Sequence, residues 1–336
     1  MQIGSWSFTN RVFVAPMAGV TDRPYRRLCK TLGAEYAVSE MAASNPQLWD
    51  TVKTARRLNH EGEPDPVAIQ ITGADPDMMA QAARYNIERG AQIIDINMGC
   101  PARKVCHVVS GSALLTDLSL VETILRSVVE ACRPYGVPVT LKTRTGWDRN
   151  TITAPQVARL AEDLGIAALT IHGRTRNDFY KGTAEYDTIA QVKQNIAIPV
   201  IANGDIDSPE KAEFVLKYTG ADAVMIGRAA QGRPWIFHQV HHYLTTGEHL
   251  PPPTFGQLRD VLVEHLVEHY SFYGEYTGVR TARKHIAWYL GRAPDAKQWL
   301  RSIHQIEDCQ LQLRAIKHWL DEHDPDEPIE ALAQPA

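Results

Sequence analysis

Short apolar runs alternate with longer stretches of helical periodicity along most of this chain. The runs lie at 11–18, 36–41, 67–73, 93–100, 137–145, 168–175, 199–206 and 223–229. Most are nearly continuous in Val, Ile, Leu and Ala, which is the pattern of strands covered on both faces in a parallel sheet. Between them, apolar residues recur every three or four positions over Met78–Arg89, Leu118–Ala131, Ala154–Leu164, Tyr186–Gln194 and Pro209–Tyr218. That spacing predicts helices with one buried face. Asp75-Pro76 and Ser208-Pro209 mark two helix starts, a capping side chain before proline at the first helical position. Strand then helix, repeated eight times, predicts an α/β fold of the (β/α)8 TIM-barrel type. A doubly wound open sheet would carry a Gly-rich first turn, and the sequence has none.

After Trp235-Ile236-Phe237 the strand pattern stops, and Leu250-Pro251-Pro252-Pro253 marks a boundary. Helical periodicity follows over Phe255–Tyr273, Gly278–Leu290, Ala296–Ile303 and Ile306–His323. The expected organisation is therefore a barrel over 1–245, a small all-α bundle over 246–325 and an acidic tail over 326–336 that stays unfolded. Six acids fall in Asp321–Glu330, which suits a solvated segment.

A chain of 336 residues with 44% hydrophobic and 22% charged residues is ordinary for a soluble globular enzyme. Net charge is −4, so any nucleic-acid affinity must come from local patches. One such patch is Arg280 to His318, where eight Lys or Arg (280, 283, 284, 292, 297, 301, 314, 317) face three acids (295, 307, 308). Trp288, Tyr289 and Trp299 are interleaved with them, a composition that fits a phosphate backbone or, more plainly, a solvated helix face with core aromatics. Five cysteines (Cys29, Cys100, Cys106, Cys132, Cys309) form no CxxC pair and no even disulfide framework, which argues for a reducing compartment and against a structural zinc or iron–sulfur site. No signal-peptide pattern opens the sequence and no apolar run reaches membrane-span length. A cytoplasmic protein without membrane contact, metal ion or obligate protein partner, monomeric by default, is the expectation.

Every expected strand ends in something polar or conformationally special. The ends read Pro16-Met17-Ala18-Gly19, Ser39-Glu40-Met41, Gln70-Ile71-Thr72-Gly73, Asn97-Met98-Gly99-Cys100, Lys142-Thr143-Arg144, His172-Gly173-Arg174, Asn203-Gly204-Asp205 and Gly227-Arg228. In a barrel these positions ring the face where substrates bind. Cys100, held between Gly99 and Pro101 at a strand tip beside Asn97, suits proton transfer or nucleophilic chemistry. A lone cysteine is more often a small buried hydrophobe, and the other strand ends tip the balance toward chemistry. Asn203-Gly204-Asp205 and Gly227-Arg228 fall after the seventh and eighth strands, where barrels often bind phosphate. Lys142, inside a strand, needs an anionic partner or a place at the rim.

The chain resembles the flavin-dependent tRNA-dihydrouridine synthases, the bacterial B type in particular. The motifs that carry this are APMAGVTD (15–22), VAIQITG (67–73), DINMGCPARKV (95–105), GSALL (111–115), LKTRTGW (141–147), TIHGRTR (170–176), IANGDI (201–206) and MIGRAAQGRPWIF (225–237). The segment Cys106-His107-Val108-Val109-Ser110 departs from the basic or Gly-rich loop usual there.

The resemblance implies FMN across the barrel mouth, with Pro16, Met17 and Ala18 supporting the ring system and Gln70 at its polar edge. Lys142 would face the pyrimidine end near His172, and Asn203, Gly204, Asp205, Gly227 and Arg228 would cradle the phosphate. It further implies that NADPH supplies the electrons, that a hydride reaches C6 of a D-loop uridine in tRNA, and that Cys100 protonates C5. Asn97 would orient the base or the flavin without proton transfer, while Arg103, Lys104, Arg174, Arg283 and Lys284 would contact the RNA. A flavin oxidoreductase acting on a free pyrimidine is the competing expectation; it needs no basic bundle.

Overall fold

Val, Ile and Ala dominate the apolar runs because each strand must be covered by the barrel core on one side and helices on the other. A computed structural model of the chain describes residues 1–106, 110–291 and 296–329, with the side chains of Arg103, Lys104 and Lys297 outside that description. Its strands are β1 (Val12–Val14), β2 in two pieces (Tyr36–Ala37 and Ala42–Ala43), β3 (Ala68–Thr72), β4 (Ile93–Met98), β5 (Val139–Arg144), β6 (Ala168–His172), β7 (Val200–Asn203) and β8 (Ala223–Ile226). Neighbours in sequence are parallel neighbours in the sheet, and β8 returns to pair with β1 through Val224↔Val12 and Ile226↔Val14. A parallel bridge, Val38↔Ala68, joins β2 to β3. The sheet therefore closes, as the sequence pattern predicts for a TIM barrel.

Helices α1 (Arg23–Thr31), α2 (Val52–Leu58), α3 (Pro76–Ile87), α4 (Arg103–Cys106), α5 (Leu118–Cys132), α6 (Ala154–Asp163), α7 (Asp187–Asn195) and α8 (Pro209–Thr219) fill the connections. The two expected caps form: Asp75 Oδ1 accepts from Met78 N at 2.8 Å, and Ser208 Oγ from Lys211 N at 3.1 Å.

Side chains enter the barrel from every second strand position. At the N-terminal ends of the strands the interior is apolar, one cluster of Phe13, Tyr36, Ala68, Ile93, Ala168, Ile201 and Ala223. A short N-terminal hairpin (Gln2–Ile3 with Trp6–Ser7) adds Ile3, and Phe8 follows it into the same cluster. Phe8, Phe13 and Tyr36 meet edge to face, with ring centroids 5.2 to 5.5 Å apart, the favourable geometry for aromatic quadrupoles. Two residues further along β3 to β6 the interior turns polar, with Gln70, Asp95, Thr140 and Thr170, while β1, β2 and β8 stay apolar at Ala15, Val38 and Met225. That gradient positions the site.

The chain divides into two compact units, the first ending at Arg228 and the second beginning at Ala229. The sequence pattern changes later, at 245/246, because the segment after β8 belongs by packing to the helices: Trp235 lies against their core, and Gly232 against the Trp288 backbone. The second unit holds α9 (Ile236–Thr246), α10 (Phe255–Tyr273), α11 (Glu275–Leu290), α12 (Ala296–Ile303) and α13 (Cys309–Asp321). Its core is built from Leu258, Leu262, Leu266, Ile286, Leu290 and Ile316, all fully buried. Part of the acidic tail is folded: Thr254 and Pro328 form an antiparallel bridge, and Ile329 is buried in that core. One apolar residue among acids is enough to draw the segment in; residues from 330 lie outside the described residues. Among the described residues, no helix is long and apolar enough to cross a membrane.

Candidate active site

Three strands, β3, β4 and β5, deliver one continuous polar chain to the rim. Parallel register sets Gln70 beside Asp95, Asp95 beside Thr140, and Asn97 beside Lys142. Thr140 Oγ1 donates to Asp95 Oδ1 at 2.6 Å, and Gln70 Nε2 donates to Asp95 Oδ2 at 2.7 Å. Asn97 Nδ2 then donates to Gln70 Oε1 at 2.7 Å. The remaining oxygen of Asn97 accepts from the backbone N–H of Gly99 at 3.2 Å and Cys100 at 3.0 Å. Asn97 thus fixes the turn that presents the thiol. A buried network in which each member is satisfied is rigid, so the cysteine's place is determined as far back as β5.

Arg144 holds the same turn from the other side. It is buried, and its Nε donates to Gly99 O at 2.9 Å while Nη1 donates to Thr175 O and Phe179 O, both at 2.8 Å. Burial pushes the Cys100 thiol up, with the Ala102 backbone and the Arg144 charge opposing and Cys106 adding to the rise. At neutral pH the group is a thiol with its proton available.

Lys142 reaches across the barrel to donate to Asn203 Oδ1 at 2.9 Å, and Asn203 Nδ2 donates to Met225 O at 2.7 Å. Burial first, and then the Arg144 charge, lower the Lys142 ammonium to about 8, with Asp95 pulling the other way. An ammonium so destabilised is a site that gains from a bound anion. Burial likewise raises Asp95, against its bonds to Gln70 and Thr140 and the Lys142 charge. His172 is driven well below 6.5, by burial first and then by the cations Lys142, Arg144, Arg174 and Arg228. It is a neutral imidazole throughout the physiological range.

The ends of β6, β7 and β8 meet around Asp205. Its carboxylate accepts from Arg174 Nη1 at 2.9 Å and Nη2 at 2.6 Å, from Ala184 N at 2.8 Å, and from Arg228 Nη2 at 2.9 Å. Burial works against the ionised form, yet these bonds and both guanidinium charges hold the carboxyl below its usual range. Two cations against one anion leave this corner positive, and Arg228, with a half-exposed side chain, is the accessible one. Gly204 adopts φ +124°, and a Cβ there would come within 2.8 Å of Ala184 Cβ and 3.0 Å of His172. Only glycine fits.

The expected site residues largely converge. Gln70, Asn97, Cys100, Lys142, His172, Asn203, Gly204, Asp205 and Arg228 join one another as described. Pro16, Met17 and Ala18 follow β1, and Gly227 follows β8, where a Cβ would lie 3.5 Å from Met17 Sδ. Arg174 is different: expected at the RNA, it is buried and spent on Asp205, on Gly182 O at 2.6 Å and on Lys181 O at 3.2 Å. Arg103 and Lys104 have side chains outside the described residues, as does the whole of His107-Val108-Val109. In the helical unit, Arg283 and Lys284 are partly exposed, and Lys284 Nζ lies 6.0 Å from the Trp288 ring centroid. Tyr289 is buried in the helical core and offers no stacking surface.

Three residues of weight escaped the sequence reading. Asp95 and Arg144 sat inside quoted motifs, but their hydrogen bonds cross strands and leave no local signature. Tyr180 is 54% exposed, with its ring between Arg144 (5.5 Å from the centroid) and Arg228 (5.2 Å) and 6.3 Å from His172. An exposed aromatic in a polar loop of the rim was the only available clue.

A closed parallel barrel with a thiol, a buried ammonium and a guanidinium-lined corner on its C-terminal face has the architecture of a TIM-barrel enzyme. Residues 13–323 match the family model described as Dihydrouridine synthase (Dus), and the chain belongs to that family. It is 56% identical over 321 residues to tRNA-dihydrouridine synthase B of Xanthomonas axonopodis pv. citri (strain 306), covering 96% of both chains. It is 55% identical over 322 residues to tRNA-dihydrouridine synthase B of Shewanella oneidensis, covering 96% of this chain and 99% of that one. The same-named protein of Pseudomonas aeruginosa is 54% identical over 322 residues, 96% of each chain. Among solved structures, a variant of NCR from Zymomonas mobilis shares the fold at a TM-score of 0.53 and 16% identity, covering 74% of this chain and 91% of that chain.

Proposed function

We propose that the rim holds FMN and that a D-loop uridine of tRNA is reduced there across C5=C6, with Cys100 as the proton donor. Two features of the site suit FMN. Lys142 is a buried ammonium held below its ordinary range, the electrostatic complement of the anionic pyrimidine edge of a reduced flavin. The positive corner at Arg228, beside the side-chain-free Gly204 and Gly227, suits the phosphate. Pro16, Met17, Ala18 and Gln70 would line the ring, and His172 and Asn203 would flank Lys142. Asp205 and Arg174 act as positioning residues for Arg228 in this reading.

When bound, FMN supplies the hydride for C6 of the uracil ring, its electrons coming from NADPH. The protein's own part is the proton and the placement. Cys100 Sγ–H donates to C5, and the raised thiol pKa keeps it in the acid form between turnovers. Asn97 and Arg144 hold the loop so that the thiol cannot swing away. The pyrimidine must leave the stacked RNA, at a cost of a few kcal/mol, and the basic stretch from Arg280 to His318 offsets this through backbone contacts that include Arg283 and Lys284.

The observation that carries this reading is the thiol at the tip of β4, its backbone pinned by Asn97 and its proton retained by burial. The test is to purify the protein, record its visible spectrum, and incubate it with NADPH and unmodified tRNA. A yellow protein that forms dihydrouridine is expected. A yellow protein that oxidises NADPH and leaves tRNA unchanged would replace this reading with reduction of a free pyrimidine.

A further inference from the structure

Helices α10 and α11 form an antiparallel pair around Gly274, with His265, His269 and His285 between them. His265 and His269 are four residues apart and share a face of α10; His285 meets them from α11. The ring centroids of His265 and His285 are 4.7 Å apart, those of His269 and His285 5.2 Å, and those of His265 and His269 6.1 Å. All three side chains are at most 1% exposed. One nitrogen from each lies within 4.8 Å of the other two. We infer that this cluster is a metal site, binding one late first-row divalent cation, zinc by preference, as a clasp between the two helices.

The chemistry of the donors supports it. Three neutral imidazoles are the form that ligates. Thr281 Oγ1 donates to Thr277 O at 2.7 Å, so it accepts from His269 Nε2 at 2.8 Å. That bond puts the proton on Nε2 and the lone pair on Nδ1. Tyr289 Oη lies 3.4 Å from Nδ1 of His265, which assigns Nε2 of that ring to the metal. A ligating histidine whose other nitrogen is held by a hydroxyl is the usual outer-shell arrangement.

Three nitrogens with no thiolate or carboxylate among the donors exclude magnesium and calcium as suitable ions. Tetrahedral coordination at about 2.0–2.1 Å needs donor separations of about 3.3 Å, so the rings turn inward on binding. The fourth position is left to water. The cysteine spacing gave no hint of this site because its donors are histidines on two separate helices. The inference is independent of the flavin reading.

The test uses the full chain, produced without a polyhistidine tag and analysed for bound metal. About one zinc per chain is expected, along with the visible absorption of a tetrahedral complex when cobalt(II) is added to chelator-stripped protein. His285→Gln should lose the metal and melt at a lower temperature, by the same shift that a chelator causes in the wild type. His318→Gln, on an exposed residue, should keep it. Should His285→Gln fail to fold, the cobalt titration of the wild type decides. Metal-free wild-type protein that gives no cobalt spectrum would overturn the inference, and so would zinc retained in full by His285→Gln.

Discussion

The two ends of the barrel are made by the same strands and differ in almost every physical respect. On β4, Ile93 lies in an apolar cluster with Phe13 and Tyr36, whereas Asp95 and Asn97, two and four residues on, sit in a hydrogen-bonded network. The first end is held by area and shape. The second carries a buried carboxylate, a buried ammonium and a neutral histidine, none of which a stability-driven core would choose. The apolar end supplies the stability that lets the polar end stay strained.

That division can be broken from either side. Cys100→Ala should reduce dihydrouridine formation by about 10²–10⁴-fold, the range for a lost general acid. Bound flavin and NADPH oxidation should persist, as a spectrum and a coupled assay would show; wild-type turnover on tRNA would sink the proton-donor role. Lys142→Met should cost about 10²-fold in turnover, yet raise the Tm of cofactor-free protein by about 1–2 °C, the equivalent of ~1 kcal/mol in a chain of this size. A fall in both would mean the ammonium is a structural ion pair.

At the apolar end, Phe13→Ala should destabilise by about 3–5 kcal/mol in denaturant melts, while kcat on tRNA stays within about twofold of wild type. A large drop in kcat for the folded variant would deny the independence of the two ends.

The smallest effect concerns pH. Lys142 has a folded-state pKa of about 8 against an ordinary 10.5, so the unfolded chain binds more protons between those values. Stability of the cofactor-free protein should therefore rise as pH increases from about 8 toward 10.5, and the penalty is fully present below 8. FMN affinity should run the opposite way, falling above about pH 8 as the ammonium is lost. Turnover should show no inflection near 6.5 from His172, because that ring is already neutral.

Part of this was written in the sequence. The alternation of apolar runs and amphipathic stretches determined the barrel, since covered strands and one-faced helices leave few other ways to bury their surfaces. Proline after Asp75 and Ser208 determined two helix starts, because capping is local. The strand-end residues named the rim. Tertiary structure alone decided what those residues do to each other. Strand register brought Asp95 to Thr140 and Asn97 to Lys142, and the closure of the barrel brought Lys142 to Asn203. Arg174 turned inward to Asp205 instead of outward to RNA, and Ile329 drew the start of the acidic tail into the helical core. His265 and His285 lie 4.7 Å apart by ring centroid although a turn separates their helices. Pattern along a chain records burial, which each residue feels singly; partnership between distant groups depends on register, and register exists only once the chain has folded.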